Sequence, residues 1–124
     1  MKTIEYLRIF SDDEGCSHFE TKGINLKAKD YAPPTPHLNT SALESADNSI
    51  FLELPIGWCG DWHLTPVRQW IILMSGECEF EVADGEITTR RAGDVLLLDD
   101  TTGKGHKTKV LGNEAVRIVA IHFS

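Results

Sequence analysis

Two histidines stand in stretches whose pattern could bring them together. His63 belongs to residues 61–76, DWHLTPVRQWIILMSG, and His106 belongs to residues 93–110, GDVLLLDDTTGKGHKTKV. In each stretch the histidine accompanies a run of apolar and β-branched residues bounded by glycine, which is typical of paired β-strands. We therefore predict that the two stretches bring polar side chains together at one end of a β-barrel, and that the functional site lies there.

The alternation of residue types after His63 predicts a strand with two apolar faces, one lining a core and the other packing against a second sheet or subunit. One face of the strand would carry Gln69, Ile71, Leu73 and Ser75, and the other Arg68, Trp70, Ile72 and Met74. After a turn at Ser75-Gly76, residues 77–82 are predicted to return as the second strand of a hairpin. Their three glutamates would form a wet face, opposite a dry face of Cys78, Phe80 and Val82.

Short strands separated by turn signals predict an all-β sandwich or barrel. Strands are expected at residues 3–10, 50–54, 69–74, 77–82, 86–90, 94–98, 106–111 and 115–123, with weaker extended pieces at 17–20 and 24–26. Residues 31–37, which contain three prolines, are interpreted as an extended arm crossing the barrel surface. Only residues 39–48 have helical character, and they are too few to organise a fold. The 124 residues suit one domain, with the N-terminal strand and arm in 1–48 and the barrel core in 49–124.

The composition excludes several classes of partner. The formal net charge is −7 and the isoelectric point is near 5.1, which argues against binding to nucleic acid or to an anionic membrane. The N-terminus lacks the apolar run of a signal peptide and no segment approaches transmembrane length, so we expect a cytoplasmic protein. Three widely spaced cysteines suggest neither a disulfide framework nor a zinc ribbon. Nucleotide-loop, dinucleotide and serine-nucleophile motifs are missing, so no nucleotide or flavin cofactor is expected.

Residues 61–76 resemble the first motif of the cupin superfamily. That motif has a His-x-His pair, an acidic residue a few positions on, and then six residues and a glycine. In this sequence Asp61-x-His63 falls at the pair, and Gln69 is followed by six residues and Gly76. The resemblance implies an all-β, single-domain cupin, an antiparallel jelly-roll β-barrel with its site inside.

The second cupin motif opens with Gly-Asp, here Gly93-Asp94, and ends in a histidine, here His106. The whole chain also resembles a group of small bacterial single-cupin proteins. The tokens that carry this closer likeness are residues 12–19 (DDEGCSHF), 31–34 (YAPP), 60–63 (GDWH), 66–69 (PVRQ) and 99–106 (DDTTGKGH). They are specific for fold and subgroup and imply no reaction.

Metal-binding cupins usually hold the ion with three histidines and a glutamate. Carried over position by position, the resemblance offers Asp61, His63, Gln69 and His106 as ligands, with Asp61 and Gln69 departing from the usual residue types. Two imidazoles and a carboxylate suit a divalent ion such as Fe, Mn, Ni, Cu or Zn, and an amide oxygen can fill a fourth position. The same four groups could instead hold an ordered water or the polar end of an organic ligand.

Two functions follow from these alternatives. The first is a metal-dependent cupin enzyme acting on a small, anionic organic molecule by oxygenation, isomerisation or lyase chemistry. The second is a non-catalytic barrel that binds a small molecule as a sensor or carrier. Cations near the mouth, Arg68 and the Lys104 to Lys107 run, would favour an anionic ligand, although a solvated rim explains them equally well. Replacement of His106 by alanine is expected to leave the barrel folded.

Other conspicuous residues have plainer interpretations. His18 and His37 are expected at the surface, although the resemblance draws attention to His18, and His122 joins the site only if its strand face is the lumen. The tryptophans are expected to pack in the core or an interface, and Cys59 is expected to be an inert thiol. We also expect a homodimer, because Trp70, Ile72 and Met74 would form an apolar patch on the outside of the barrel.

Overall fold

A computed structural model describes residues 2–124 of the chain. These residues form eleven strands: β1 (Lys2–Ser11), β2 (Ser17–Lys29), β3 (Leu38–Thr40), β4 (Asn48–Leu54), β5 (Cys59–His63), β6 (Gln69–Leu73), β7 (Glu77–Val82), β8 (Ile87–Arg91), β9 (Val95–Asp99), β10 (His106–Leu111) and β11 (Val116–His122). The predicted all-β class is confirmed. Within residues 2–124, no helix is long and apolar enough to cross a bilayer.

The strands form two sheets that pack face to face as a jelly-roll sandwich. The larger sheet has the order β3-β2-β1-β9-β6-β11-β4, and the smaller has the order β5-β10-β7-β8. All pairs are antiparallel except β1 with β9, which run parallel. Several connections pass from one sheet to the other, including β4 to β5, β6 to β7, β8 to β9 and β9 to β10. These crossings bring the segments that end at His63 and begin at His106 together as neighbouring strands of the smaller sheet.

The core lies between the two inner faces, and the predicted alternation sets its membership. In β6, Gln69, Ile71 and Leu73 are buried, whereas the neighbouring outer side chains are more exposed. In β7, Cys78, Phe80 and Val82 are buried and the glutamates are not, as predicted. From the N-terminal strand, Leu7 and Ile9 join the same core, so β1 is an integral part of the larger sheet.

The predicted hairpin between β6 and β7 is wrong. β6 pairs with β9 and β11, whereas β7 pairs with β10 and β8, so the chain crosses between the sheets at Ser75-Gly76. Gly76 has φ of +72°, and a Cβ there would stand 2.8 Å from the Ala115 carbonyl oxygen. Glycine is therefore required by both the left-handed backbone and the close approach. A sheet-crossing corner and a hairpin give the same alternation of residue types, because both direct one face of each strand to the core.

Residues 31–47 also differ from expectation. The proline-rich segment is no extended arm: it forms a turn, with a hydrogen bond from Thr35 N to the Ala32 carbonyl, and connects β2 to β3. Proline fixes φ at a value that turns also use, so extension does not follow from it. The predicted helical character at 39–48 is absent among these residues. Instead, Glu44 accepts a hydrogen bond from the Trp70 indole at 2.8 Å, and the segment after β3 crosses the outer face of the larger sheet.

Candidate functional site

The pairing of β5 with β10 places the two motif histidines opposite each other. His106 is the register partner of His63, and their ring centroids lie 4.6 Å apart with an interplanar angle of 56°. The register shifts between His106 and Thr108, and such irregularities redirect side chains near binding sites. Strand β5 was missing from the sequence prediction, because Cys59–His63 has little of the apolar alternation that marks strands.

A fully buried carboxylate holds the His106 ring in place. The Nδ1 atom of His106 lies 2.6 Å from Asp100 Oδ2, and the Thr65 hydroxyl donates to Asp100 Oδ1 at 2.8 Å. Asp100 is 0% exposed, Thr65 2% and His106 3%. A carboxylate acceptor at Nδ1 selects the tautomer with its proton there, so Nε2 keeps its lone pair. Sequence reasoning missed both Asp100 and Thr65.

His63 and Gln69 are anchored in a similar way. The Nδ1 atom of His63 lies 2.8 Å from the Asp61 backbone carbonyl oxygen, which leaves Nε2 available. Gln69 Nε2 donates to the Val67 carbonyl at 3.0 Å, which leaves the amide oxygen available. Two imidazole nitrogens and one amide oxygen are thus the atoms that the site can offer to a proton, a metal ion or a polar ligand.

These three side chains line one end of a cavity of about 400 Å³ between the sheets. Apolar side chains form most of the wall, among them Ile50, Leu52, Trp58, Ile71, Phe80 and Ile118. His122 also lines it, directly opposite Gln69 in the β6–β11 register, so its strand face is the inner one. The cavity therefore combines an apolar body with a polar end, which is the usual form of a small-molecule site.

The structure does not bring Asp61 to this cavity. Its side chain is exposed, and Oδ1 accepts a hydrogen bond from the Trp62 backbone N–H at 2.8 Å. The cations expected near the mouth also lie outside the wall: Arg68 lies 3.5 Å from Asp99, and Lys107 lies over the Trp62 ring. Among residues 2–124, no Asp, Glu, Lys or Arg lines the cavity.

A second cluster of polar side chains lies at the turn between β1 and β2. Ligand atoms of Asp12, Cys16 and His18 all lie within 4.8 Å of one another. His18 Nε2 is 2.7 Å from Asp12 and Nδ1 is 2.8 Å from Asp84. Hydrogen bonds to Asp12 and then to Asp84 raise the pKa of His18, and the bond from His18 lowers the pKa of Asp12. His18 is thus no ordinary surface histidine, whereas His37 is exposed.

The turn between β1 and β2 is also hydrogen-bonded to the loop that precedes His106. Ser17 is 0% exposed; its hydroxyl donates to the Gly105 carbonyl at 2.6 Å and accepts from Ala83 N at 2.8 Å. Lys104 N donates to the Gly15 carbonyl at 3.0 Å. Gly105 has φ of +74°, and a Cβ there would collide with the His63 carbonyl. This loop therefore connects the β1–β2 turn to both histidines.

Comparisons with known proteins bear on the fold. No protein-family model and no curated protein matches the sequence. Among solved structures, the chain is similar to the cupin domain of Cnp3 from Schizosaccharomyces pombe, with 14% identity, 99% of this chain and 83% of that chain covered, and a TM-score of 0.53. It is also similar to an RmlC-like cupin from Shewanella frigidimarina (15% identity, 100% and 96% covered, TM-score 0.48) and to one from Desulfovibrio desulfuricans (13%, 98% and 82%, 0.46). The jelly-roll topology and the likeness to the Cnp3 domain agree with the resemblance in the sequence, and the chain therefore has a cupin-type fold.

Proposed function

We propose that the cavity binds a small, largely apolar organic molecule that carries one anionic group. The observation that carries this proposal is an apolar-walled cavity of about 400 Å³ that ends in two imidazoles anchored at Nδ1. The volume is within the range of small-molecule sites, and apolar walls supply affinity while a few fixed polar groups supply orientation.

The charge of the cavity wall supports an anionic group. Because the wall contains no Asp or Glu among the described residues, a ligand carboxylate would meet no opposing carboxylate. Because Nδ1 of His63 and of His106 is already bonded to a protein oxygen, each ring would donate to the ligand through Nε2 only as an imidazolium, and that hydrogen bond would be charge-assisted. Arg68 and Lys107 would contribute to the surrounding field without touching the ligand, since neither lines the wall.

A second candidate is a metal-dependent enzyme of the same cavity, and the Nδ1 anchoring of both imidazoles favours it. Histidine ligands of metals commonly donate the other ring nitrogen to a carbonyl or carboxylate, as His63 and His106 do. Without Asp61, the donors that would hold a divalent ion are these two imidazoles and the Gln69 amide oxygen. Such an ion would act as a Lewis acid toward a bound substrate. Asp100 and Thr65 would then serve to hold the His106 ring.

Calorimetry on chelator-treated protein distinguishes the two functions. The probes are short aliphatic and aromatic carboxylates, each paired with the primary amide of the same shape. We expect the carboxylates to bind more tightly than the amides, and a carboxylate at 100 times its Kd to stabilise the fold by about 2.7 kcal/mol. His106→Gln should weaken the carboxylates, whereas Asp61→Asn, outside the cavity, should not. Equal binding of acids and amides would refute the anionic preference, and binding that appears only after Fe²⁺, Mn²⁺, Ni²⁺ or Zn²⁺ is restored would establish the second candidate.

A further inference from the structure

We propose that Asp12, Cys16 and His18 form a binding site for a divalent metal ion of zinc type at the β1–β2 turn, outside the cavity. One ligand atom from each residue lies within 4.8 Å of the other two. The residues come from a single short turn and from the first part of β2, so one local structure presents all three ligands. The site shares no residue with the cavity wall, and the proposal does not rest on the proposed function.

The chemistry of the ligands selects the ion. An imidazole nitrogen, a thiolate and a carboxylate oxygen are all common zinc ligands. The thiolate disfavours Mg²⁺ and Ca²⁺, which prefer oxygen. Three protein ligands leave a fourth tetrahedral position for water, so the site would be open.

Asp84 supplies the support that a metal-binding histidine needs. Its carboxylate lies 2.8 Å from His18 Nδ1, so the ring is held with Nε2 directed to Asp12. A carboxylate behind the ligating imidazole fixes the tautomer and strengthens the metal–nitrogen bond. Asp84 belongs to the turn between β7 and β8, so the arrangement joins the two sheets.

The turn is already shaped before an ion binds. Asp12 Oδ1 accepts hydrogen bonds from the backbone N–H groups of Glu14 at 2.9 Å and Cys16 at 3.0 Å, which leaves Oδ2 facing His18. Cys16 is next to Ser17, whose hydroxyl is fixed to Gly105 and Ala83. Binding of the ion would therefore require little further ordering of the backbone.

Only a small opening of the Asp12–His18 pair is required. Asp12 Oδ2 and His18 Nε2 are 2.7 Å apart. Two ligands each at about 2.0 to 2.1 Å from a tetrahedral zinc ion are roughly 3.3 Å apart, so this pair must separate by roughly 0.6 Å. Both side chains are partly exposed and have room to move. The ion takes the place of the proton on Nε2 and of the proton on the Cys16 thiol.

Titration of the full chain with Co²⁺ and Zn²⁺ tests the site. We expect Co²⁺ to produce a thiolate-to-cobalt charge-transfer band and Zn²⁺ to abolish it at one equivalent. Cys16→Ser and His18→Gln should lose the band, and Asp84→Asn should weaken binding by about 10- to 100-fold. Cys59→Ser is the matched thiol control and His106→Gln the control for the cavity; both should keep the band. Absence of the band in the wild-type protein, or its survival in Cys16→Ser, would overturn the proposal.

Alkylation of the wild-type protein provides a second measurement that needs no variant. Zn²⁺ should protect Cys16 from iodoacetamide by at least tenfold in rate and leave the exposed Cys59 unprotected, as measured by peptide mass spectrometry. Equal protection of both thiols, or of neither, would refute a site at Cys16 even if a variant failed to fold.

Discussion

Replacement of Asp100 by alanine should cause a large loss in the free energy of unfolding. Asp100→Ala removes the acceptor of two hydrogen bonds, from Thr65 Oγ1 at 2.8 Å and from His106 Nδ1 at 2.6 Å. Each buried donor left without a partner costs about 1 to 3 kcal/mol. We therefore expect the free energy of unfolding to fall by about 2 to 6 kcal/mol, a large share of the ~5 to 15 kcal/mol typical of a domain. Urea denaturation followed by tryptophan fluorescence measures this loss.

The neighbouring Asp99 is a matched control. Its side chain is 22% exposed and pairs with Arg8 at 2.9 Å and Arg68 at 3.5 Å. Because ion pairs in contact with solvent contribute little, Asp99→Ala should cost no more than about 1 kcal/mol. If Asp100→Ala costs no more than Asp99→Ala, water reaches the Asp100 carboxylate and the anchoring role assigned to it is refuted.

Asp100→Asn separates stability from function. The new amide has the same shape, and if Thr65 continues to donate to its oxygen, the NH2 group faces His106 Nδ1 and cannot accept a hydrogen bond from it. The imidazole would then move its proton to Nε2, which could neither coordinate a metal nor accept a hydrogen bond. We expect this variant to keep most of its stability in urea denaturation and to lose the metal binding that the second candidate function requires.

His106→Ala is expected to lower the stability of the fold as well as to remove a ligand-binding side chain. Although the sequence suggested that the fold would be unaffected, His106 is 3% exposed and its loss would leave the buried Oδ2 atom of Asp100 without its donor. In the double variant of Asp100→Ala and His106→Ala, the loss of stability should be smaller than the sum of the single losses by about 0.5 to 3 kcal/mol. Strict additivity would contradict a direct hydrogen bond between the two residues.

Three further results are expected. In native protein a thiol reagent should modify the exposed Cys59 and spare Cys78. Burial raises the pKa of Cys78 to about 12, with smaller contributions from Asp94 and Glu77. Equal rates of modification would contradict this expectation. Ser17→Ala should cost about 1 to 3 kcal/mol in urea denaturation and change the chemical shifts of His106, whereas an effect on stability alone would deny Ser17 a positioning role. We also propose a homodimer formed through the outer face of the larger sheet, where Phe51 is 73% exposed. Light scattering at micromolar concentration should give a mass of twice 13.8 kDa, and Phe51→Glu should lower that mass. A monomeric wild-type protein would refute the homodimer.

Local pattern was enough to predict the faces of the strands, but not their partners. The alternation in β6 and β7 correctly identified Ile71, Leu73 and Phe80 as core residues. It assigned the two strands to one hairpin because a turn with glycine is compatible with either a hairpin or a corner. What separates the two is the contact of Gly76 with Ala115, which is distant in sequence.

The site was predicted in part, and the missed residues have physical reasons. The motif spacing found His63, Gln69 and His106, which share the cavity wall. It did not find Asp100, although a signal exists: Leu96 and Leu98 face the core, and continued alternation puts Asp100 inward and Asp99 outward. The exposure of Asp61 depends on how β5 sits at the edge of the smaller sheet, which spacing alone does not fix.

Two of the most distinctive stretches of the sequence, residues 12–19 and 99–106, prove to be neighbours in space. The Ser17 hydroxyl binds the Gly105 carbonyl, and a Cβ on Gly103 would collide with the backbone of Gly15. Since Gly105 also packs against the His63 carbonyl, backbone contacts run from the β1–β2 turn to the segments that carry both cavity histidines. An ion at Asp12, Cys16 and His18 would stiffen the turn at one end of this connection, while Asp100 holds His106 at the other. Glycine recurs before His106 because Gly103 and Gly105 both have positive φ and both lie against backbone atoms that a side chain would strike.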